Sequence, residues 1–309
     1  MHIWNNILNT TYLRDFPEYI RVQKLSIDCA WENLMTEEWI EIYSAMFDEV
    51  ESLPHLSIDL ARIKIDVPRT FGAFQQCFIF PESATFSLFK SHFILDLEKV
   101  LLALNRHHKY YQGMNIIAAS FLLGGRSAKM TFVVMSFLLN QRHLSVLFEP
   151  NCSSLDEYLK IFEKRFRKTN KKLYKHFKAS SFPPICYAIE WFTTFFTLSC
   201  PGELSNCVVD MLLVGFNDIM IRIGLAVMDI LGDELLLMDQ EALMANFRTL
   251  VRNLNPAKLI LHSLLHVVRP EVNILEVICF IYLAMVSLTV SPSSMRFLPY
   301  RSCRRISIV

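Results

Sequence analysis

Tyr110-Tyr111-Gln112-Gly113-Met114-Asn115-Ile116-Ile117-Ala118-Ala119 places a polar head on a segment that stays apolar through Phe121, Leu122 and Leu123. A run so uniformly apolar has no solvent face, so it reads as a buried helix with Gln112 at its N-terminal entrance. That end of a helix carries positive partial charge and free N–H groups, which favours a neighbouring phosphate. Gly124-Gly125-Arg126-Ser127 breaks the chain after the run, and residues 129–139 resume a helical pattern. Upstream, Phe93, Leu97, Val100, Leu101 and Leu104 recur at three- and four-residue spacing, the stripe of a helix that leads into the motif.

A second segment, Ile63-Lys64-Ile65-Asp66-Val67-Pro68-Arg69-Thr70-Phe71, sets another long polar side chain beside an apolar run. Pro68 fixes its own φ and biases Val67 away from the helical region. A helix carrying residues 61–65 is therefore expected to end there and to present Arg69 from an exit loop. Asp66, three residues earlier, is placed to bond the guanidinium or to cap nearby backbone. Taken singly, Asp-x-x-Arg is ordinarily a helix-end ion pair, and Tyr-x-Gln before an apolar helix is ordinarily packing plus a cap.

The composition agrees with helices. Hydrophobic residues make up 52% of 309 positions, with only 8 glycines and 12 prolines among them, which suits long helices better than a many-stranded sheet. The fold class read from this is all-α. A formal net charge of +1 gives no global attraction to nucleic acid or membrane. The eight cysteines include no Cys-x-x-Cys pair, so no metal site is assigned and free thiols in a reducing compartment are expected. The N-terminus lacks the pattern of a secretory signal, which makes the Asn-x-Ser/Thr matches at Asn9 and Asn151 incidental and the chain cytoplasmic.

A third stripe, Leu155, Leu159, Phe162, Phe166, Leu173 and Phe177, is flanked by Lys164, Arg165, Arg167, Lys168, Lys171, Lys172, Lys175 and Lys178. This face meets an acidic membrane surface, meets a partner protein, or is simply solvated, the last being the plainest reading. Its aromatics lie in the apolar stripe and not among the charges, which disfavours nucleic acid. Pro183-Pro184 closes the region, and residues 187–198 are expected to form an aromatic-rich helix. His262 and His266 are spaced for one metal but lack the accompanying Glu, so ordinary helical histidines are preferred. His107-His108 read as the end of the preceding helix. Residues 274–290 are mostly apolar, but Glu276 lies among them and the length is marginal for a membrane span; a core helix is preferred to a tail anchor.

Together the two leading segments resemble the two-finger apparatus of the TBC domain family, the Rab GTPase-activating proteins. Ile63, Asp66 and Arg69 match its Ile-x-x-Asp-x-x-Arg pattern, and Tyr110 and Gln112 its Tyr-x-Gln pattern, extended by Gly113, Met114, Asn115, Ala118 and Ala119. Glu190-Trp191-Phe192-Thr193-Thr194-Phe195-Phe196 and Met220-Ile221-Arg222-Ile223-Gly224-Leu225-Ala226 match further blocks more loosely. The resemblance implies a two-lobed helical domain over residues 15–268, after an N-terminal extension (1–14); the segment 269–309 diverges from the family, and its composition reads as an apolar helix followed by a disordered basic tail.

It also implies an activity. Arg69 and Gln112 would enter the nucleotide site of a GTP-loaded Rab-type small GTPase in vesicle trafficking, Arg69 offsetting charge on the phosphate and Gln112 orienting the attacking water. The supporting residues would be Ile63, Asp66, Thr70, Tyr110, Gly113 and Asn115, with Asp66 orienting the finger, Gly113 allowing close approach to the partner, Tyr110 packing beneath and Asn115 holding the loop. GTP and Mg²⁺ would belong to the partner, the chain carrying no cofactor and making at most peripheral contact with endomembranes. Three departures stand out: Lys109 replaces a glycine, the Gly-x-Pro and Arg expected before Trp31 are absent, and Val209 replaces a tryptophan. An inactive Rab-binding effector on the same fold is the alternative.

Overall fold

Every regular element among the described residues is helical, with no strand. The computed structural model describes residues 37–48, 58–75, 84–148, 153–200, 202–216 and 218–265. The segments 1–14 and 269–309, the apolar stretch 274–290, Asn9, Asn151 and His266 lie outside them.

Two groups of helices form two lobes. In the first, α1 (Glu37–Asp48), α2 (Ile58–Gln75), α3 (Ala84–Asn105), α4 (Met114–Leu123) and α5 (Ala128–Asn140) pack on one another, with α3 touching all four others. The second contains α6 (Ser153–Thr169), α7 (Lys171–Ala179), α8 (Ala188–Thr193), α9 (Gly202–Leu213), α10 (Ile219–Ile230), α11 (Gly232–Leu235), α12 (Gln240–Arg252) and α13 (Pro256–Leu265), where α10 packs on α6, α8, α9 and α13. A 3₁₀ turn over Leu144–Phe148 touches α5, α6 and α8 and so bridges the lobes. Arg142 adds a polar tie: its Nε donates to the Leu213 carbonyl at 3.0 Å, and burial pushes its guanidinium down to about 10.

The apolar run after Gln112 is the buried helix its composition demands. In α4 only Ser120 and Leu123 escape full burial. The α3 stripe of Phe93, Leu97, Val100, Leu101 and Leu104 is buried as well. Ser127 caps α5 by accepting the Met130 N–H at 3.2 Å, which explains the restart after the glycine break. His107 and His108 follow the end of α3, with both N–H groups directed to the Leu104 carbonyl.

Two expectations require correction. The second helix does not stop before Pro68: α2 runs through it, and Arg69 lies on the helix, not in an exit loop. Ile63, Val67, Thr70, Phe71 and Phe74 recur at helical spacing and are all buried, whereas Pro68 faces solvent. Continuing the helix buries two further phenylalanines, worth about 2 kcal/mol each, against roughly 3 kcal/mol for an interior proline. The aromatic helix expected over 187–198 is α8 alone and ends at Thr193. Phe195 and Phe196 turn the chain with φ of 49° and 62°. Such φ values are unfavourable for bulky residues, but the turn stacks Phe196 on Trp191 with centroids 5.2 Å apart and directs Phe195 toward Phe148 of the bridging turn.

The remaining patterns fall into place around these elements. All six residues of the basic region's apolar stripe are buried. Val209, at the position of the family's tryptophan, is buried, and Phe216 packs against the same core. Cys200 and Cys207 are buried and Cys186 is exposed. Among the described residues, no helix is long and apolar enough to cross a membrane.

Candidate functional site

Thr70 on α2 and Asn115 in the first turn of α4 join the two motifs. Asn115 Nδ2 donates to Thr70 Oγ1 at 2.7 Å, while Asn115 Oδ1 accepts the Gly113 N–H at 2.9 Å. The Thr70 hydroxyl donates in turn to the Asp66 carbonyl at 2.7 Å. That back-bond holds α2 two residues on either side of Pro68, where the Lys64 carbonyl has lost its helical donor. Thr70 and Asn115 are both buried, so the chain of bonds has no water to compete for it.

A second bridge runs through Tyr110. Its hydroxyl donates to Asp66 Oδ2 at 2.8 Å, and its N–H is shared between Asn105 Oδ1 at 3.0 Å and Asp59 Oδ2 at 3.3 Å. Burial, reinforced by the Asp66 carboxylate, raises the Tyr110 phenol well above its ordinary range. The phenol therefore stays protonated and stays a donor at any physiological pH.

The two side chains read as reactive stand just outside this frame. Arg69 is exposed on α2, adjacent in sequence to Thr70; Gln112 is exposed in the turn before α4, adjacent to Gly113. Neither makes a hydrogen bond or ion pair with another described residue, so both retain their full donor capacity for something outside the chain. The Asp66 carboxylate is engaged by Tyr110 and not by the Arg69 guanidinium. Lys109 is likewise exposed, three residues before Gln112.

Gly113 is closely packed within the chain itself. Its φ is 116°, and a methyl group there would collide with the carbonyl oxygen of Thr193 at the end of α8. The close approach it permits is to its own second lobe. Ile63, fully buried, anchors α2 in the core.

Three positions escaped the sequence reading: Asp59, Asn105 and Thr193. Asp59 carried a signal, since it lies seven residues before Asp66 and shares its helix face. Asn105 and Thr193 carried none, because their partners come from other elements. His262 Nε2 bonds Asp229 Oδ2 at 2.7 Å, and among the described residues no group of three or more His, Cys, Asp or Glu could hold a metal.

The described residues form a two-lobed helical scaffold that clamps the two motifs together beside an exposed arginine and an exposed glutamine. The chain belongs to the Rab-GTPase-TBC domain family, whose model matches residues 2–236. TBC1 domain family member 12 of Rattus norvegicus is 30% identical over 183 residues, covering 58% of this chain and 25% of that protein. The Rab GTPase-activating protein eat-17 of Caenorhabditis elegans is 26% identical over 249 residues, covering 80% of this chain and 26% of that protein. The chain thus spans about a quarter of the length of these relatives. The crystal structure of the YPT/Rab-GAP domain of Gyp1p shares the fold with a TM-score of 0.58 at 14% identity, covering 85% of this chain and 96% of that one.

Proposed function

We propose that this chain is a GTPase-activating protein for a Rab-family small GTPase, stimulating hydrolysis in the partner's nucleotide site and performing no hydrolysis alone. Its family and its relative eat-17, named as a Rab GTPase-activating protein, support that reading. In the finer form of the proposal Arg69 and Gln112 enter the site of the GTP-bound partner, which holds GTP and Mg²⁺ itself.

The observation that carries the finer form is the Thr70–Asn115–Gly113 bridge, which fixes the neighbours of both free side chains to one buried junction. Hydrolysis of GTP needs an oriented water and compensation of charge growing on the phosphate oxygens. A guanidinium stays protonated and presents a planar fork to those oxygens. A side-chain amide both donates and accepts, as positioning a water requires. The partners of Tyr110 and Asn115 hold the backbone so that little ordering remains to be done when the GTPase docks.

Single-turnover hydrolysis over a panel of GTP-loaded Rab proteins tests the proposal. At least one should be accelerated, and Arg69→Ala should lose about 10³-fold or more of that acceleration while binding largely survives. Binding without acceleration of any Rab would identify an effector instead. Acceleration untouched by both Arg69→Ala and Gln112→Ala would remove these residues from the mechanism.

A further inference from the structure

The helices α6 and α7 fold on each other at Asn170, whose side chain caps α7 by accepting the Leu173 N–H at 3.1 Å. Phe166 packs edge-on against both Tyr174 and Phe177, with centroids 5.7 Å away in each case, so both helices turn their apolar sides into one cluster. The cations are left on the outside. Lys164, Arg167, Lys168, Lys171, Lys175 and Lys178 are all exposed, and none forms an ion pair with another described residue. Residues 153–179 hold nine Lys or Arg against three Asp or Glu, a local excess of six positive charges on a chain whose total is +1. Of those three acids, Glu163 is engaged by the Tyr174 hydroxyl at 2.9 Å.

We propose that the outer face of α6 and α7 docks on the anionic surface of a lipid bilayer, through charge density and without a specific headgroup pocket. Five of the six named cations are lysines, compact charges on flexible stems that suit a diffuse field better than the fixed geometry of a paired carboxylate. A protein partner would need an apolar anchor at the centre of its contact. The exposed large hydrophobic residues include none on either helix. Single-stranded nucleic acid would need exposed rings for stacking, yet Phe162, Phe166 and Phe177 are buried and Tyr158 and Tyr174 half-buried. The face belongs to helices of the second lobe, whereas Arg69 and Gln112 belong to the first, and the proposal holds whether or not the chain activates a GTPase.

Co-sedimentation of the full chain with vesicles tests this without any nucleotide. Binding is expected to vesicles containing about 30% phosphatidylserine and not to pure phosphatidylcholine, with release on raising salt from about 0.1 M to 0.5 M. Vesicles of equal surface charge made with a phosphoinositide should bind equally; strong preference for the phosphoinositide would overturn the absence of a headgroup pocket. Each cation near such a surface contributes about fivefold. The quadruple variant Lys164→Gln, Lys168→Gln, Lys171→Gln, Lys175→Gln should therefore lose at least tenfold while its helical circular dichroism is retained. The double variant Lys64→Gln, Lys258→Gln, at exposed lysines elsewhere, should bind as the parent does; a proportional loss there would show net charge to be responsible and not this face. Binding to soluble polyglutamate without binding to the anionic vesicles would assign the face to an acidic protein and overturn the proposal.

Discussion

The side-chain amide of Asn115 donates to the hydroxyl of Thr70 across 2.7 Å, linking residues 45 apart in sequence and both buried. The bond matters because each partner is also committed elsewhere: Asn115 to the Gly113 N–H, Thr70 to the Asp66 carbonyl. Neither can be removed without orphaning a group in a dry environment.

Thr70→Val keeps the shape of the side chain but strands the Asn115 amide. Asn115→Leu strands the Gly113 N–H. Each is expected to cost about 1–3 kcal/mol in urea unfolding, the usual cost of a buried polar group left unpaired. The double variant should cost less than the sum by at least about 0.5 kcal/mol, since the shared bond is lost only once. Strict additivity would mean the contact is not formed in solution.

Gly113→Ala should be the most damaging single methyl in the site. It combines a φ of 116°, which an alanine resists, with collision against the Thr193 carbonyl. Backbone strain and overpacking together should remove about 2–5 kcal/mol. The loss should appear in thermal unfolding of the chain alone, whereas a glycine needed only for partner contact would leave stability unchanged.

Stability should fall on the alkaline side. Burial pushes the Cys200 thiol up to about 12 and raises the Tyr110 and Tyr187 phenols well above their ordinary range. A raised folded-state pKa means the native state holds its proton after the unfolded state has released one. The stabilisation is therefore complete below the unfolded pKa, about 8.5 for a thiol and 10 for a phenol, and is lost as pH rises through the folded value. Between about pH 9 and 10 Cys200 alone should contribute a slope approaching 1.4 kcal/mol per pH unit, steepening above pH 10 as the tyrosines join. Cys200→Ala should flatten the first part of this decline in urea melts taken at successive pH values. An unchanged slope there would show the thiol to be solvent-accessible.

The sequence was most legible where burial acts along one continuous segment. The run after Gln112 is apolar on every side, so a buried helix was the only way to satisfy it, and Gln112 fell at its entrance as expected. It was least legible where a distant contact overrides a local preference. Nothing near Phe195 and Phe196 announces left-handed φ values; they follow from where Trp191 and Phe148 lie. The site divides in the same way. Arg69, Gln112 and Asn115 could be chosen from motif spacing, but the Tyr110–Asp66 bond joins residues 44 apart, and Asp66 had been assigned to the arginine.

Pro68 offers the sharpest test of how Arg69 is presented. The helix continues through this residue although its ring removes the donor that the Lys64 carbonyl would otherwise bond, and Pro68 itself is exposed and packs nothing in the core. Pro68→Ala restores the donor and the better helix former, so the chain should gain about 1–3 kcal/mol, reduced somewhat by the freer unfolded state. Removing the ring's crowding of the Lys64 carbonyl would also shift the exposed position that follows, while Thr70 and Phe71 stay pinned by Asn115 and the core. If the proline aims the arginine, the variant should be more stable yet slower in stimulating hydrolysis, with the deficit in the rate of the chemical step and not in partner affinity. A variant that is more stable and equally active would leave Pro68 without a role in presenting Arg69.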